Sequence, residues 1–260
     1  MTTATHDGGP TLDLPSTGPE PLEFDTALAA VLGYARGRRP FRFRSPDFPR
    51  GHWVQLPAFG WSRFDTRPVT WSDDAAILIG EGLHGRLSRP GWTDVHDALD
   101  RVRPLFDDVV EHSAGRAFWE LSDEELSVLG EPRTVGADLR EIGRRAGQNP
   151  AHVFAALHHR RPDLVPHLTR STRRALLPHT EEGDSDVGAV VLRELRANDT
   201  AFGVLERTAA ALLGDASPTR LRLHDILLWL TTTLRMTHAV ALGRATEEWR
   251  VHSSVVGSQR

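Results

Sequence analysis

The residues that could grip an anion gather in one stretch of this chain. Gly147-Gln148-Asn149-Pro150 stands between two helical patterns, ending one and opening the next. Gly147 or Asn149 supplies the positive φ that such a tight turn needs. The first amides of the helix opened by Pro150 have no intrahelical partner and point outward, so this junction can hold a phosphate through its backbone alone. An ordinary helix junction has the same form, and the residues that follow decide the weight. Arg160 and Arg161 end the second helix, and Arg170, Arg173 and Arg174 lie on a third. Gly147, Gln148 and Asn149 are thus the candidate backbone grip, with those five arginines as neutralising cations. If about four phosphates are contacted, log K falls against log salt with a slope near −3.6.

Other chemistry is sparser. Asp225 lies inside the apolar run 221–234, between His224 and Ile226. A carboxylate there is either a functional group or the partner of an arginine or a helix end, and the second is the commoner arrangement. Asp163, beside Arg160 and Arg161, reads as an ion-paired turn residue. Thirteen histidines invite a metal. His152 and His159, however, lack the i, i+4 spacing that turns two imidazoles onto one ion, so no metal site is expected. His158, His159, His167 and His179 read as polar surface near the arginines.

The chain has no Cys and no Lys; all 31 basic residues are Arg. The first absence excludes thiolate zinc, iron–sulfur clusters, disulfides and a cysteine nucleophile. The second excludes lysine Schiff bases and the P-loop lysine. No Gly-rich loop follows a strand, no Gly-x-Ser-x-Gly occurs, and no cofactor is expected. The net charge of −4 conceals two basic islands, residues 36–67 and 133–174, each with a local excess of +6. Such islands suit an anionic partner or pair with the chain's own acids after folding.

These groups need elements to position them, and 260 residues allow one large domain or two coupled lobes. A 39% hydrophobic chain buries an ordinary core. No apolar run reaches the roughly 18 residues of a membrane helix, and residues 1–20 lack an apolar signal core. A cytoplasmic protein with no membrane partner is expected. Residues 1–22 read as a disordered leader, 23–245 as the helical domain and 246–260 as a flexible tail.

Helical periodicity dominates. Helices are expected after Asp25, Ser72, Thr93, Ser122, Thr134, Asn149 and Thr169, over 186–197 and 200–213, and over 220–242 after Ser217. The helix that Thr93 opens runs through Val95, Leu99 and Val102 and is expected to continue from Leu105 to Val110 after Pro104, and Ser122 with Glu125 forms a capping box leading into Leu126 and Leu129. From 40 to 71 periodicity vanishes and eight of the eighteen aromatics crowd in, a loop or small β-hairpin near 40–65. Phe41-Arg42-Phe43-Arg44 could stack on a single strand, while aromatics tucked into a helix layer explain the composition as well. The class is all-α and two-lobed, with that one small hairpin.

Taken together, the run 147–177 resembles the helix-hairpin-helix DNA glycosylase superfamily. Members read Gly-x-Gly at the hairpin and later Pro-x-Leu-Asp-x-x-Val-x-Arg-x-Leu; Pro166, Leu168, Arg174 and Leu176 match the second element. The 22 residues from Gly147 to Thr169 equal the spacing in its adenine glycosylases. Arg161-Pro162-Asp163-Leu164-Val165-Pro166, with Leu223-His224-Asp225 and the residues up to Trp229, is also similar to an actinobacterial family of unknown function. The resemblance implies a phosphate-gripping, DNA-binding scaffold. The superfamily's catalytic Asp falls on Thr169, the lysine of its bifunctional members falls near Ala151, and the second hairpin Gly is Asn149. Standard excision or lyase activity is therefore not implied, and the catalytic residue is unassigned, Asp225 being the remaining candidate. The leading expectation is a binder of nucleic acid, duplex DNA first. The alternatives are a repurposed scaffold whose interlobe cleft takes a small anionic metabolite, and a protein-interaction module.

Overall fold

Side-chain caps set five of the helix starts. Ser72, Ser88, Thr134, Thr169 and Thr219 each accept a hydrogen bond from the backbone N–H three residues on, satisfying a donor that the first turn leaves open. The chain, seen in a computed structural model, is described over residues 10–127, 133–214 and 217–257. Among these residues it forms eleven helices. They are α1 (Phe24–Arg36), α2 (Asp73–His84), α3 (Arg89–Ser113), α4 (Val135–Arg145), α5 (Pro150–Arg160), α6 (Arg170–Leu176), α7 (Gly188–Ala197), α8 (Asp199–Leu213), α9 (Arg220–Thr232), α10 (Met236–Arg244) and α11 (Glu247–Gly257). Two antiparallel ribbons complete it: β1 (Thr11–Leu12) with β2 (Leu22–Glu23), and β3 (Arg38–Ser45) with β4 (Phe48–Pro57). The fold is all-α and two-lobed with a small hairpin, as the sequence indicates.

Helices α2 to α5 pack on one another as one lobe, and α1 packs with α8 to α11 as the other. Helices α6 and α7 lie on α9. The tightest crossing is α1 on α10. A Cβ on Gly33 would overlap the Ala239 carbonyl, and one on Gly243 would overlap that of Ala29, so these two backbones meet directly.

Several expectations are corrected. Residues 1–9 lie outside the described part, but 10–22 are not a disordered leader. Leu12 and Leu14 are buried in the core, and the Ser16 amide and hydroxyl both donate to Glu194, each at 2.8 Å. Helix α3 continues past Pro104 as expected, but it does not begin at Thr93. The helix opens earlier, at Ser88, and runs on because Val95, Leu99, Val102, Phe106 and Val109 bury one continuous face. The Ser122–Glu125 box forms, yet it leads only into a 3-10 turn, Glu124–Leu126; Leu129 lies outside the described residues. The expected helix over 220–242 is two. Leu234 adopts φ 57°, and α9 and α10 turn about it. Part of the tail, Glu247–Gly257, is helical.

The aromatic segment splits in two. Phe59, Trp61 and Phe64 are buried, whereas Phe41, Phe43, Phe48, Trp53 and Trp71 are exposed, four of them on the β3–β4 hairpin.

Candidate functional site

The anion site read from the sequence divides in space. Gln148, Asn149, Arg170, Arg173 and Arg174 do come together, lining one open groove of about 1240 Å³ with Arg140 and Arg144 of α4. Gly147 beside it holds φ at 72°. The turn is not open for a phosphate, however. The Gln148 N–H donates to Asp94 Oδ2 of α3 at 3.1 Å, and Asn149 Nδ2 donates to the same oxygen at 3.0 Å. A carboxylate of the chain itself stands where the sequence reading placed the ligand.

The arginines differ as sharply. Arg160 is buried and bound to Asp73 at 2.5 Å and to the Trp71 carbonyl at 3.2 Å, so it cannot reach a surface ligand. Burial pushes the Asp73 carboxyl up, but hydrogen bonds from Arg160 and Arg103 outweigh this and hold it below the usual carboxylate range. Arg161 forms two bonds of 3.1 Å with Asp163, as expected of a turn pair. Arg173 is bound to Asp186. Arg170 and Arg174 are exposed and have no acidic partner among the described residues. Arg140 has none either, and its Nη1 is buried without a hydrogen bond.

Three of the four histidines read as surface are buried, and this is a further correction. His158 Nδ1 lies 2.6 Å from the Val165 carbonyl, which requires that nitrogen to carry the proton. Burial, and then the charge of Arg222, push its pKa down to about 3. His159 Nε2 meets the Arg67 carbonyl at 3.1 Å, and burial lowers its pKa as well. His167 belongs to a second recess, deeper than the groove.

This inner cavity, about 250 Å³, lies between the lobes, with Tyr34 of α1, Asp225 and Trp229 of α9, His84 at the end of α2, and His167 and Thr169 before α6 among its lining residues. At its base Arg222 is buried between two carboxylates. Its Nε and Nη2 donate to Asp65 at 2.6 and 3.1 Å, its Nη1 donates to Asp225 Oδ2, and Nη2 also reaches Tyr34 Oη at 3.0 Å. Its guanidinium lies 5.2 Å from the Phe64 ring centroid. Burial disfavours the Arg222 charge, but Asp65, Tyr34 and Asp225 more than restore it. Burial, with Asp65 alongside, pushes the Tyr34 phenol far up.

From Asp225 a chain of groups runs outward. His167 Nδ1 lies 3.1 Å from Asp225 Oδ2, and His167 Nε2 lies 2.8 Å from His84 Nε2. An ionised carboxylate only accepts, so the His167 Nδ1–H donates to Asp225 and the other ring nitrogen meets His84. Burial and then the neighbouring His167 push His84 down to about 3. Burial would push Asp225 up, but His167 and Arg222 outweigh it and lower it to about 2. Thr169, at the position where the resemblance puts an aspartate, caps α6 and lies 2.9 Å from Ser171 Oγ. It brings no charge to the cavity.

His84 lines both recesses, so the groove and the inner cavity meet at its ring. Among the described residues no group of three or more His, Asp or Glu could hold a metal ion. No helix among them is long and apolar enough to cross a membrane.

Sequence reading missed Tyr34, Asp65, His84 and Arg222. One signal was present: Arg222 and Asp225 are three apart inside a leucine-rich helix, the spacing of a same-face ion pair. Asp65 and His84 had none, because only the fold brings them near. No family model matches the chain, and neither a curated protein nor a solved structure does.

Proposed function

We propose that the protein binds nucleic acid, duplex DNA in the first place, along the groove between α4, α5 and α6. The observation that carries this reading is charge. Five arginines, Arg140, Arg144, Arg170, Arg173 and Arg174, line the groove against one acid, Asp186, which Arg173 already holds. Guanidinium groups in excess of their counterions, Arg170 and Arg174 exposed and Arg140 half-buried, attract a phosphate backbone and release its condensed cations. Contacts of this kind position a duplex without reading its sequence.

Pairing and burial reduce the arginines available to this reading. Arg160 is buried, Arg161 and Arg173 are paired, and Arg144 is held by Glu141 at 2.6 Å. That leaves Arg140, Arg170 and Arg174, so log K should fall against log salt with a slope of about −2.7. Base excision forms no part of the proposal, since Thr169 supplies neither a charge nor a general base.

The test is fluorescence anisotropy of a labelled duplex with the full chain over a salt series. The expected result is a slope near −3 that collapses towards zero when Arg140, Arg170 and Arg174 are all replaced by Ala. Binding that ignores salt, or that survives the triple replacement unchanged, overturns the reading.

A further inference from the structure

The inner cavity has a polarity of its own. At its base Asp225 is buried, with Arg222 and His167 on Oδ2 and no hydrogen-bond partner on Oδ1. A buried carboxylate oxygen without a donor is rare in folded proteins and marks a place for a missing partner. The one guanidinium at that base, Arg222, is shared between Asp225 and a second buried carboxylate, Asp65, which lies outside the cavity's lining. Arg39, Arg63 and Arg235 also line the cavity. All three are exposed, placing them at its mouth, and none has an acidic partner among the described residues. Between the two ends stand Phe59 and Trp229, whose rings meet edge to face at 6.1 Å.

A ligand that satisfies both ends must be charged at both ends. An anion alone would be drawn to the arginines and repelled by Asp225, and an amine alone would meet the reverse. We propose that the cavity binds a small amphoteric molecule. Its ammonium or amidinium group donates to Asp225 Oδ1, its carboxylate or phosphate group rests against Arg39, Arg63 and Arg235, and its body lies along Phe59 and Trp229. This site is separate from the groove and stands or falls on its own residues. It also differs from a site for a simple anionic metabolite, because the base of the cavity rejects a second negative charge.

The test is calorimetric titration of the full chain with 4-(aminomethyl)benzoate and 2-aminoethyl phosphate, the first offering a carboxylate and the second a phosphate. Benzoate, benzylamine and ethyl phosphate serve as the half-molecules. At least one amphoteric probe is expected to bind tenfold or more tightly than either of its halves, and which one binds identifies the anionic group. Replacing Arg63 and Arg235 together by Ala should weaken that probe at least tenfold and leave benzylamine unchanged. Both positions are exposed, so this variant is expected to fold. Asp225→Asn should abolish the advantage of the amine. Equal affinity of whole and half probes, no binding of either amphoteric probe, or an unchanged affinity in the arginine variant overturns the proposal. Duplex binding measured on the same variant reports on the groove alone.

Discussion

The groove and the inner cavity are both built on arginine, yet they treat its charge in opposite ways. In the groove Arg170 and Arg174 stand in water without counterions, so their charge reaches outward and is screened by salt. In the cavity Arg222 is removed from water and depends on Asp65, Asp225 and Tyr34 for every donor it satisfies. The first arrangement costs the fold little and serves a partner. The second ties α1 and α9 to the segment before α2, since each contributes a group to one network.

The largest effect should come from the buried side of this contrast. Arg222→Ala strands two buried carboxylates and should cost about 3–5 kcal/mol in urea unfolding. Arg170→Ala or Arg174→Ala should fall within about 0.5 kcal/mol of the parent. Similar stabilities for all three variants would erase the distinction.

Next comes acid. His84 and His158 are held near 3 in the folded chain against an ordinary value of 6.5. Their folded-state pKa is depressed, so the unfolded chain binds more protons below pH 6.5. Stability should therefore be intact above pH 6.5 and decline as pH falls towards 3, by up to about 1.4 kcal/mol per pH unit for each ring. His158→Gln should flatten that decline when unfolding free energy is followed against pH. A profile independent of pH between 6.5 and 4 would contradict the buried, neutral assignment.

The smallest effect sharpens the groove. Asp94→Asn leaves the turn's shape and removes the internal anion that faces the Gln148 amide. Duplex affinity at low salt should rise by a few-fold, with the salt slope steepening by up to about one. An unchanged affinity would mean that the turn at Gly147 takes no part in binding.

How much of this was legible follows from range. The caps at Ser72, Thr134 and Thr169 and the turn at Gly147 are local, and their residues alone specify them. The burial of Leu12 and Leu14 was not legible, since it depends on α8 and α9 standing opposite a short segment rich in Thr, Gly and Pro. Nor was the start of α3 at Ser88, ahead of the Thr93 that the apolar pattern favours. Within the candidate site the Arg170 and Arg174 pair was legible as surface charge, while Arg160 looked the same in sequence and is buried beneath Trp71.

By itself, then, the sequence determined the all-α class, most helix starts, the exposed basic run on α6 and the exclusion of thiol and lysine chemistry. These are properties of neighbouring residues and of composition. Only the tertiary structure decided which arginines face water, that Asp94 fills the turn at Gly147, that Tyr34, His84, His167, Arg222 and Asp225 line one cavity, and that Asp65 pairs with its Arg222. The physical reason is that a charge acquires its role from its surroundings. In water an arginine is free for a partner, and in a buried base it must be paired by residues that lie as many as 188 positions away along the chain.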